Sequence, residues 1–343
     1  MTLDTNIDLP FVSICTPTFN RRPFITTLIK CVDSQTYPRD KMEWIIIDDG
    51  TDKIEDLVST HPLVSYFKYD NKMSLGKKRN LMHKKTRGSI IIYMDDDDYY
   101  PPERVSHAVE MLMTHPSALC AGSSEMYIYF KDTNQMVQFG PYGPNHATAG
   151  TFAFRKELLT DHQYNNDACL AEEREFLKGY TVPFIQLESM KTILVFSHRH
   201  NTFDKRMLLR DPFSNVMRLS EKTVHDFIKD ESIVDFFMNL DSILFAYSPG
   251  EPEMKPDVVK ETNILIKKRE EIKQNAIEKQ NDKKKWFEEV AKKSPEIFQK
   301  IESQEKMIFD LQDEIYKLKE QNRQLKELYN KSIRENAELK KMK

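Results

Sequence analysis

Four consecutive aspartates, Asp95-Asp96-Asp97-Asp98, follow directly on the apolar run Ile90-Ile91-Ile92-Tyr93-Met94. No other feature narrows the fold as far. A short β-branched run bounded by turn signals reads as a strand buried on both faces, as in a parallel sheet covered by helices. Adjacent carboxylates at the end of such a strand repel one another, and a folded site keeps them only where cations compensate. Their oxygens suit hard divalent ions such as Mg²⁺, Mn²⁺ or Ca²⁺. Open α/β sheets bind ligands at the carboxyl ends of their strands, which is where the run falls. An acidic surface loop is the plain alternative. The rigid strand before the run and Tyr99-Tyr100-Pro101-Pro102 after it argue against that.

The chain up to residue 210 alternates short apolar runs with helical or loop segments, the pattern of an α/β, Rossmann-like sheet flanked by helices. Strands are expected at 11–15, 43–47, 64–69, 89–94, 118–121, 126–130 and 192–197, with helices at 22–34, 77–85 and 103–113. The Gly/Pro-rich stretch 140–144 reads as a loop, and 211–244 as helical. Prolines at 249, 252 and 256 mark a linker. The expected domains are therefore 1–210, a helical extension with linker at 211–256, and a helical segment at 257–343.

That last segment is Lys/Glu-rich and broken only at Ser294-Pro295. Ile301, Ile308, Ile315, Asn322, Tyr329 and Asn336 share one heptad row, and Gln304, Leu311, Leu318, Leu325, Ser332 and Leu339 the other. Isoleucine at a with leucine at d favours a parallel two-stranded coiled coil, and a buried Asn at a fixes its register. Glu314 and Lys319 fall at g and the following e. A parallel homodimer is expected, rather than a helix folded back on its own domain.

The formal net charge is −3, so no global basic pull toward nucleic acid or membrane exists. The first residues lack a signal-peptide core, and no stretch approaches the ~18 apolar residues of a membrane span. The four cysteines form no CxxC pair. A cytoplasmic, reducing location is expected.

Two further clusters carry chemistry. Asp48-Asp49-Gly50-Thr51 ends a second apolar strand, where a carboxylate either caps a turn or accepts from a base N–H or ribose hydroxyl. Gly76-Lys77-Lys78-Arg79-Asn80 opens a helix, whose N–H groups and cations suit a diphosphate.

With Ser13-Ile14-Cys15-Thr16-Pro17-Thr18-Phe19-Asn20-Arg21, these motifs resemble family 2 glycosyltransferases of the GT-A fold, in the family's order, over residues 12–206. The resemblance implies an inverting, metal-dependent transfer of sugar from a nucleotide-diphosphate donor to a carbohydrate or glycoconjugate acceptor. It implies a donor contact at Thr16, Pro17, Thr18, Asp49, Lys78, Arg79, Asp95 and Asp96. The Asp-x-Asp-Asp motif makes Asp97 the principal ligand of Mn²⁺ or Mg²⁺, with Asp95 assisting and Asp96 at the variable position. His198 or His200, in Ser197-His198-Arg199-His200, matches the late histidine that completes many such sites, with His198 favoured as nearer its strand. The general base falls at Glu173, where the family has Asp, or at Glu172. The stretch 145–151 resembles the family's donor-sugar and acceptor loop. A uridine diphosphate sugar is the expected donor, with guanosine and thymidine donors open.

Other readings fare worse. A catalytically inactive glycosyltransferase-like domain on a coiled-coil scaffold would not need acids at all three sites. A nucleotidyltransferase would want a glycine-rich loop where Pro17-Thr18-Phe19-Asn20 stands. Calcium binding alone would want the spaced acidic loop with a distant Glu.

Overall fold

Period-two alternation along the apolar strands organises the molecule. The computed structural model describes residues 8–170, 173–201, 203–210 and 216–341. Its strands are β1 (Val12–Thr18), β2 (Met42–Asp48), β3 (Val64–Lys68), β4 (Ile90–Tyr93), β5 (Cys120–Gly122), β6 (Met126–Phe130), β7 (Gln135–Phe139), β8 (Ala153–Arg155), β9 (Phe184–Gln186), β10 (Leu194–Ser197) and β11 (Met217–Ser220). The helices are α1 (Arg22–Asp33), α2 (Glu55–Val58), α3 (Leu75–Lys85), α4 (Arg104–Thr114), α5 (Glu173–Phe176), α6 (Val224–Phe227), α7 (Glu231–Met238), α8 (Leu240–Phe245), α9 (Pro256–Lys293) and α10 (Pro295–Lys341). They fall into two units, Met1–Leu265 and Ile266–Lys343.

In the first unit a mixed sheet runs in the order β3-β2-β1-β4-β8-β5-β9. Strands β3, β2, β1 and β4 are mutually parallel, and β8 closes antiparallel on β4. Successive side chains of a strand face opposite ways, so each strand feeds two cores. Val12, Ile14, Trp44, Ile46, Ile90 and Ile92 face one, against Phe24, Ile25 and Leu28 of α1 and Val105, Ala108 and Leu112 of α4. Cys15, Ile45, Ile47, Ile91 and Tyr93 face the other, against Met82 of α3 and Phe176 of α5. Each such aliphatic side chain, fully buried, contributes about 1.5–3 kcal/mol. All four cysteines are free and buried.

A second sheet, β10-β6-β7-β11, packs its apolar face into the first of these cores. It is tied to the segment that follows β4 by a bridge: Tyr99 and Leu194 exchange backbone hydrogen bonds of 3.0 and 2.9 Å. That bridge fixes β10 directly behind the aspartate run.

Several boundaries differ from expectation. Strand β1 continues through Thr16-Pro17-Thr18, because its last three residues still pair with β2. The stretch 211–244 is not wholly helical: Met217–Ser220 form β11, antiparallel to β7, and residues 211–215 lie outside the described set. Helix α3 starts at Leu75, so Gly76 and Lys77 lie in its first turn, with the Ser74 hydroxyl as cap acceptor. In the second unit, α9 and α10 break at Ser294. No helix of the described residues is long and apolar enough to cross a membrane.

One buried carboxylate staples the sheet. Glu43 faces Ser13 across the β1–β2 register and accepts from its hydroxyl at 2.6 Å. It also accepts from the backbone N–H of Arg87 at 2.6 Å and from its guanidinium at 2.7 Å. Burial opposes the Glu43 charge, yet the Ser13 and Arg87 bonds outweigh it and hold the pKa below the usual value. A depressed carboxylate stabilises the fold above its unfolded pKa, about 4.3 for Glu, and the contribution fades as pH falls through the folded value. Glu43→Gln should therefore be less stable than wild type in urea at pH 7, with the gap closing toward pH 3. A gap independent of pH would refute the assignment.

Candidate functional site

Parallel strands of unequal length set the site, because β1, β2 and β4 all end on one edge. Past the last β1–β4 pair, the Thr16 hydroxyl accepts from the Trp44 indole at 2.9 Å and donates to the Met94 carbonyl at 2.7 Å. Thr16 thus ties β2 to β4 through β1. Both bonds lie within the protein, at a residue expected from sequence to contact the donor. Pro17 and Thr18 complete β1, and the Thr18 carbonyl accepts from the Lys78 ammonium at 2.9 Å.

The two acids ending β2 divide their work. Asp48 accepts from the backbone of Gly50 at 2.8 Å and Ile54 at 3.1 Å, and from the Tyr66 hydroxyl at 2.6 Å. It shapes the turn. Asp49 forms a buried ion pair with Lys78 and accepts from the Met73 backbone at 2.5 Å. Burial lowers the Lys78 pKa, against the pull of Asp49. Asn20, in the left-handed region at φ 53°, accepts from the Thr51 and Asp52 backbones at 2.7 and 2.9 Å, locking the β1 loop to the β2 loop. Gly50 must lack a side chain here, since a Cβ would lie 2.6 Å from the Asn20 nitrogen.

The aspartates sit in unequal surroundings. Asp95 faces the Arg79 guanidinium at 3.6 Å, while its backbone N–H donates to the Tyr100 hydroxyl at 2.7 Å. Arg79 lies 4.3 Å over the Tyr93 ring. Asp96 is buried and 3.5 Å from Arg21 Nε, so the residue read as variable from sequence is an enclosed acid. Burial and the Asp97 charge push its pKa up. Asp97 sits 3.5 Å from Arg21 Nη2 and 3.3 Å from His198 Nε2. Burial opposes its ionisation, but His198 and Arg21 prevail and hold it well below the usual range. Asp98 is raised by burial and by Asp97, and its buried Oδ1 has no hydrogen-bond partner among the described residues.

The two late histidines part company. Strand β10, pinned at Tyr99, delivers His198 to Asp97, and the ring packs 5.1 Å from Phe24 of α1. Burial lowers its pKa to about 4, against the pull of Asp97, leaving a neutral imidazole. His200 is also buried, and its carbonyl accepts from Arg21 at 2.7 Å. Its ring nitrogens have no hydrogen-bond partner among the described residues, and its nearest neighbour of note is Gly250, where a Cβ would approach Nδ1 to 2.7 Å.

Neutral imidazole and carboxylate side by side are donors that suit a divalent ion. No group of three or more His, Cys, Asp or Glu able to hold a metal occurs among the described residues. The Asp97–His198 pair fits a cation that takes the rest of its shell from water and substrate phosphate, the usual habit of Mg²⁺.

Glu173 opens the described part of α5; Glu172 lies outside the described residues. Phe176 anchors α5 by stacking 4.2 Å from Tyr164, the ring that also faces Arg79 at 5.8 Å. The Glu173 charge reaches Tyr180, whose ring lies 4.9 Å from His146. The loop carrying His146 runs on to Gly150, where a Cβ would sit 3.0 Å from Asp95 Oδ2. The 145–151 stretch thus spans from the α5 side to the aspartates. Arg21 and Tyr100 were assigned no role from sequence. Arg21 stands in the quoted opening motif, but nothing local shows that it would reach acids on another strand.

Residues 13–176 match the family model described as Glycosyl transferase family 2. The matched stretch covers just under half of the chain and takes in the Rossmann-like α/β sheet up to β8. Among curated relatives, the poly(ribitol-phosphate) beta-N-acetylglucosaminyltransferase TarS of Staphylococcus aureus is 29% identical over 181 residues, covering 47% of this chain and 30% of that protein. The glycosyltransferase AglE of Haloferax volcanii is 32% identical over 94 residues, 26% of this chain and 31% of that one. The chain thus spans about a third of the length of these relatives. Among solved structures, S. aureus TarS 1–349 in complex with UDP-GlcNAc is 19% identical with a TM-score of 0.44, covering 54% of this chain and 58% of that one. The mannosyltransferase PcManGT from Pyrobaculum calidifontis gives 19% and 0.44, covering 54% and 56%.

Removing one partner of a buried pair leaves an uncompensated charge, at about 3–5 kcal/mol. Asp49→Ala and Lys78→Ala should each cost that much in urea unfolding. The double variant should cost less than their sum by at least about 1 kcal/mol. Strict additivity would mean that the pair contributes nothing.

Proposed function

We propose that the chain, whose residues 13–176 match the family 2 glycosyltransferase model, moves a sugar from a nucleotide-diphosphate donor to an acceptor hydroxyl with inversion and with a divalent cation. The observation that carries this reading is Asp97 set between Arg21 and His198 where β1, β4 and β10 converge. Asp49, Lys78 and the backbone at Thr18 form the nucleotide side of the cleft. Arg79 with Asp95 borders the sugar side, next to the 145–151 loop. A uridine diphosphate sugar is the donor that the motif resemblance favours, and the name of the relative TarS, an N-acetylglucosaminyltransferase, supports a hexosyl-type group.

Asp97 and His198 would hold Mn²⁺ or Mg²⁺, which when bound stabilises the charge of the departing diphosphate. Arg21 and Arg79, both buried and charged, add fixed positive charge that needs no reorganisation during transfer. Glu173 is assigned the proton of the acceptor hydroxyl, with Glu172 the other candidate. One more methylene than the family's Asp carries the Glu carboxylate farther from the α5 backbone.

Nucleotide release across a panel of nucleotide sugars, with and without Mn²⁺, tests the reading. Wild type should turn over at least one donor and lose that turnover in EDTA. Asp97→Asn should lower kcat about 100-fold or more, given the several kcal/mol a bound cation supplies. Undiminished turnover in Asp97→Asn would refute the metal assignment, and no release from any donor would refute the activity. Glu173→Gln should lower kcat by about 10²-fold or more with donor KM unchanged.

The second unit is proposed to join two copies as a parallel coiled coil. Ile308, Leu311, Ile315, Leu318 and Leu325 of α10 are each more than half exposed and fall on the a and d rows. An apolar stripe of that length is what association covers. The partner residue Lys319 and the seam beyond Leu325 lie outside the described side chains. In sedimentation the full chain should run as a dimer, and Leu311→Glu with Leu318→Glu as a monomer. A wild-type monomer would refute the coil.

A further inference from the structure

The segment 247–258 lies well past the family-matched residues 13–176 and ahead of the heptads, yet it returns to the loops at the strand ends. Contacts with each nucleotide-side loop hold it there. Asn20 Nδ2 donates to the Pro249 carbonyl at 2.8 Å and Arg21 Nη1 to the Gly250 carbonyl at 3.3 Å, both from the β1 loop. Tyr247 donates to Asp52, in the β2 loop, at 2.7 Å. Lys72, ahead of α3, pairs with Asp257 at 2.5 Å. The fit is close: a Cβ on Gly250 would lie 2.9 Å from the Asn20 carbonyl as well as against His200. A tail merely passing over the surface would not be tied to all three loops.

The segment carries Lys255 into a ring of cations. The ammonium groups of Lys72, Lys78 and Lys255 lie 5.6, 5.9 and 5.7 Å from the centroid of the Phe19 ring, at the end of β1. Lys72 is matched by Asp257, Lys78 by Asp49, and Arg21 by Asp96 and Asp97. Lys255 shares the Phe19 ring with Lys72 and Lys78, which places it at the carboxyl end of β1. We propose that Lys255 is a donor-phosphate-binding residue, its ammonium contacting the diphosphate while the 247–258 segment forms one wall of the donor site. The assignment rests on the donor-site reading above. A lysine is a compact cation suited to phosphate, and three ammonium groups around one ring at the strand ends offer a diphosphate several donors at once.

Calorimetric titration of the full chain with UDP, UMP and uridine, and with GDP, GMP and guanosine, in Mn²⁺, tests this. Lys255→Gln should weaken the bound diphosphate about tenfold or more, as expected when one charge-assisted hydrogen bond is removed, and leave the matching nucleoside within about twofold. Lys255→Arg should restore most of the affinity. Should Lys255→Gln melt early, Lys255→Met keeps the stem packing and reads the same contrast. Diphosphate binding by Lys255→Gln within twofold of wild type overturns the assignment. So does an equal loss of diphosphate and nucleoside, which marks a packing role. Wild type that binds neither diphosphate, nor thymidine diphosphate in the same titration, overturns the donor-site reading itself, a different failure.

Discussion

Four adjacent carboxylates at the end of one strand cannot all stay charged and enclosed, and the fold answers by giving them unequal surroundings. Arg79 reaches Asp95 from α3, and Arg21 reaches Asp96 and Asp97 from the β1 loop. His198 reaches Asp97 from β10, and Asp98 is left to burial, which raises its pKa. The acids therefore differ in state although identical in sequence. Groups whose environments push their pKa values apart are those a site can use in different roles.

That arrangement explains why the sheet is built as it is. β1 and β2 end together at Thr18 and Asp48 while β4 stops opposite Cys15, and the Thr16 hydroxyl between Trp44 and Met94 ties the three strands at that step. The Tyr99–Leu194 bridge brings the second sheet close enough for its last strand to deliver a histidine. Asn20 and Asp48 then freeze the loops by bonding backbone N–H groups rather than by packing. A site held this way gathers buried ion pairs that apolar residues could replace with little loss of stability. Their retention is the expected mark of a working site rather than of the core.

Much of the first unit was legible because its strands are long and apolar on both faces. β2 and β4 announce themselves in Trp44-Ile45-Ile46-Ile47 and Ile90-Ile91-Ile92, as does helix α1 through its spacing of Phe24, Ile25, Leu28 and Val32. β7, β8, β9 and β11 were not foreseen. They are five residues or fewer, and β11 alternates Met217, Arg218, Leu219 and Ser220 in a stretch otherwise rich in helical spacing. What makes such a segment a strand is its neighbour, here β7, and that pairing is settled far away in the chain. The same holds for Thr16, whose motif position points to a ligand while its hydroxyl joins two strands.

By itself the sequence determined which acids exist, that they stand at strand ends, and that a helical segment with an a/d stripe follows. These are local properties, set by hydrophobic period and by residue type. Only the tertiary structure decided which cation meets which acid, that Arg21 bridges two of them, that His198 rather than His200 touches Asp97, and that Lys255 comes back beside Phe19. Charge interactions depend on distance and burial, not on separation along the chain. For the aspartate run, both are fixed only once β1, β4 and β10 have come together.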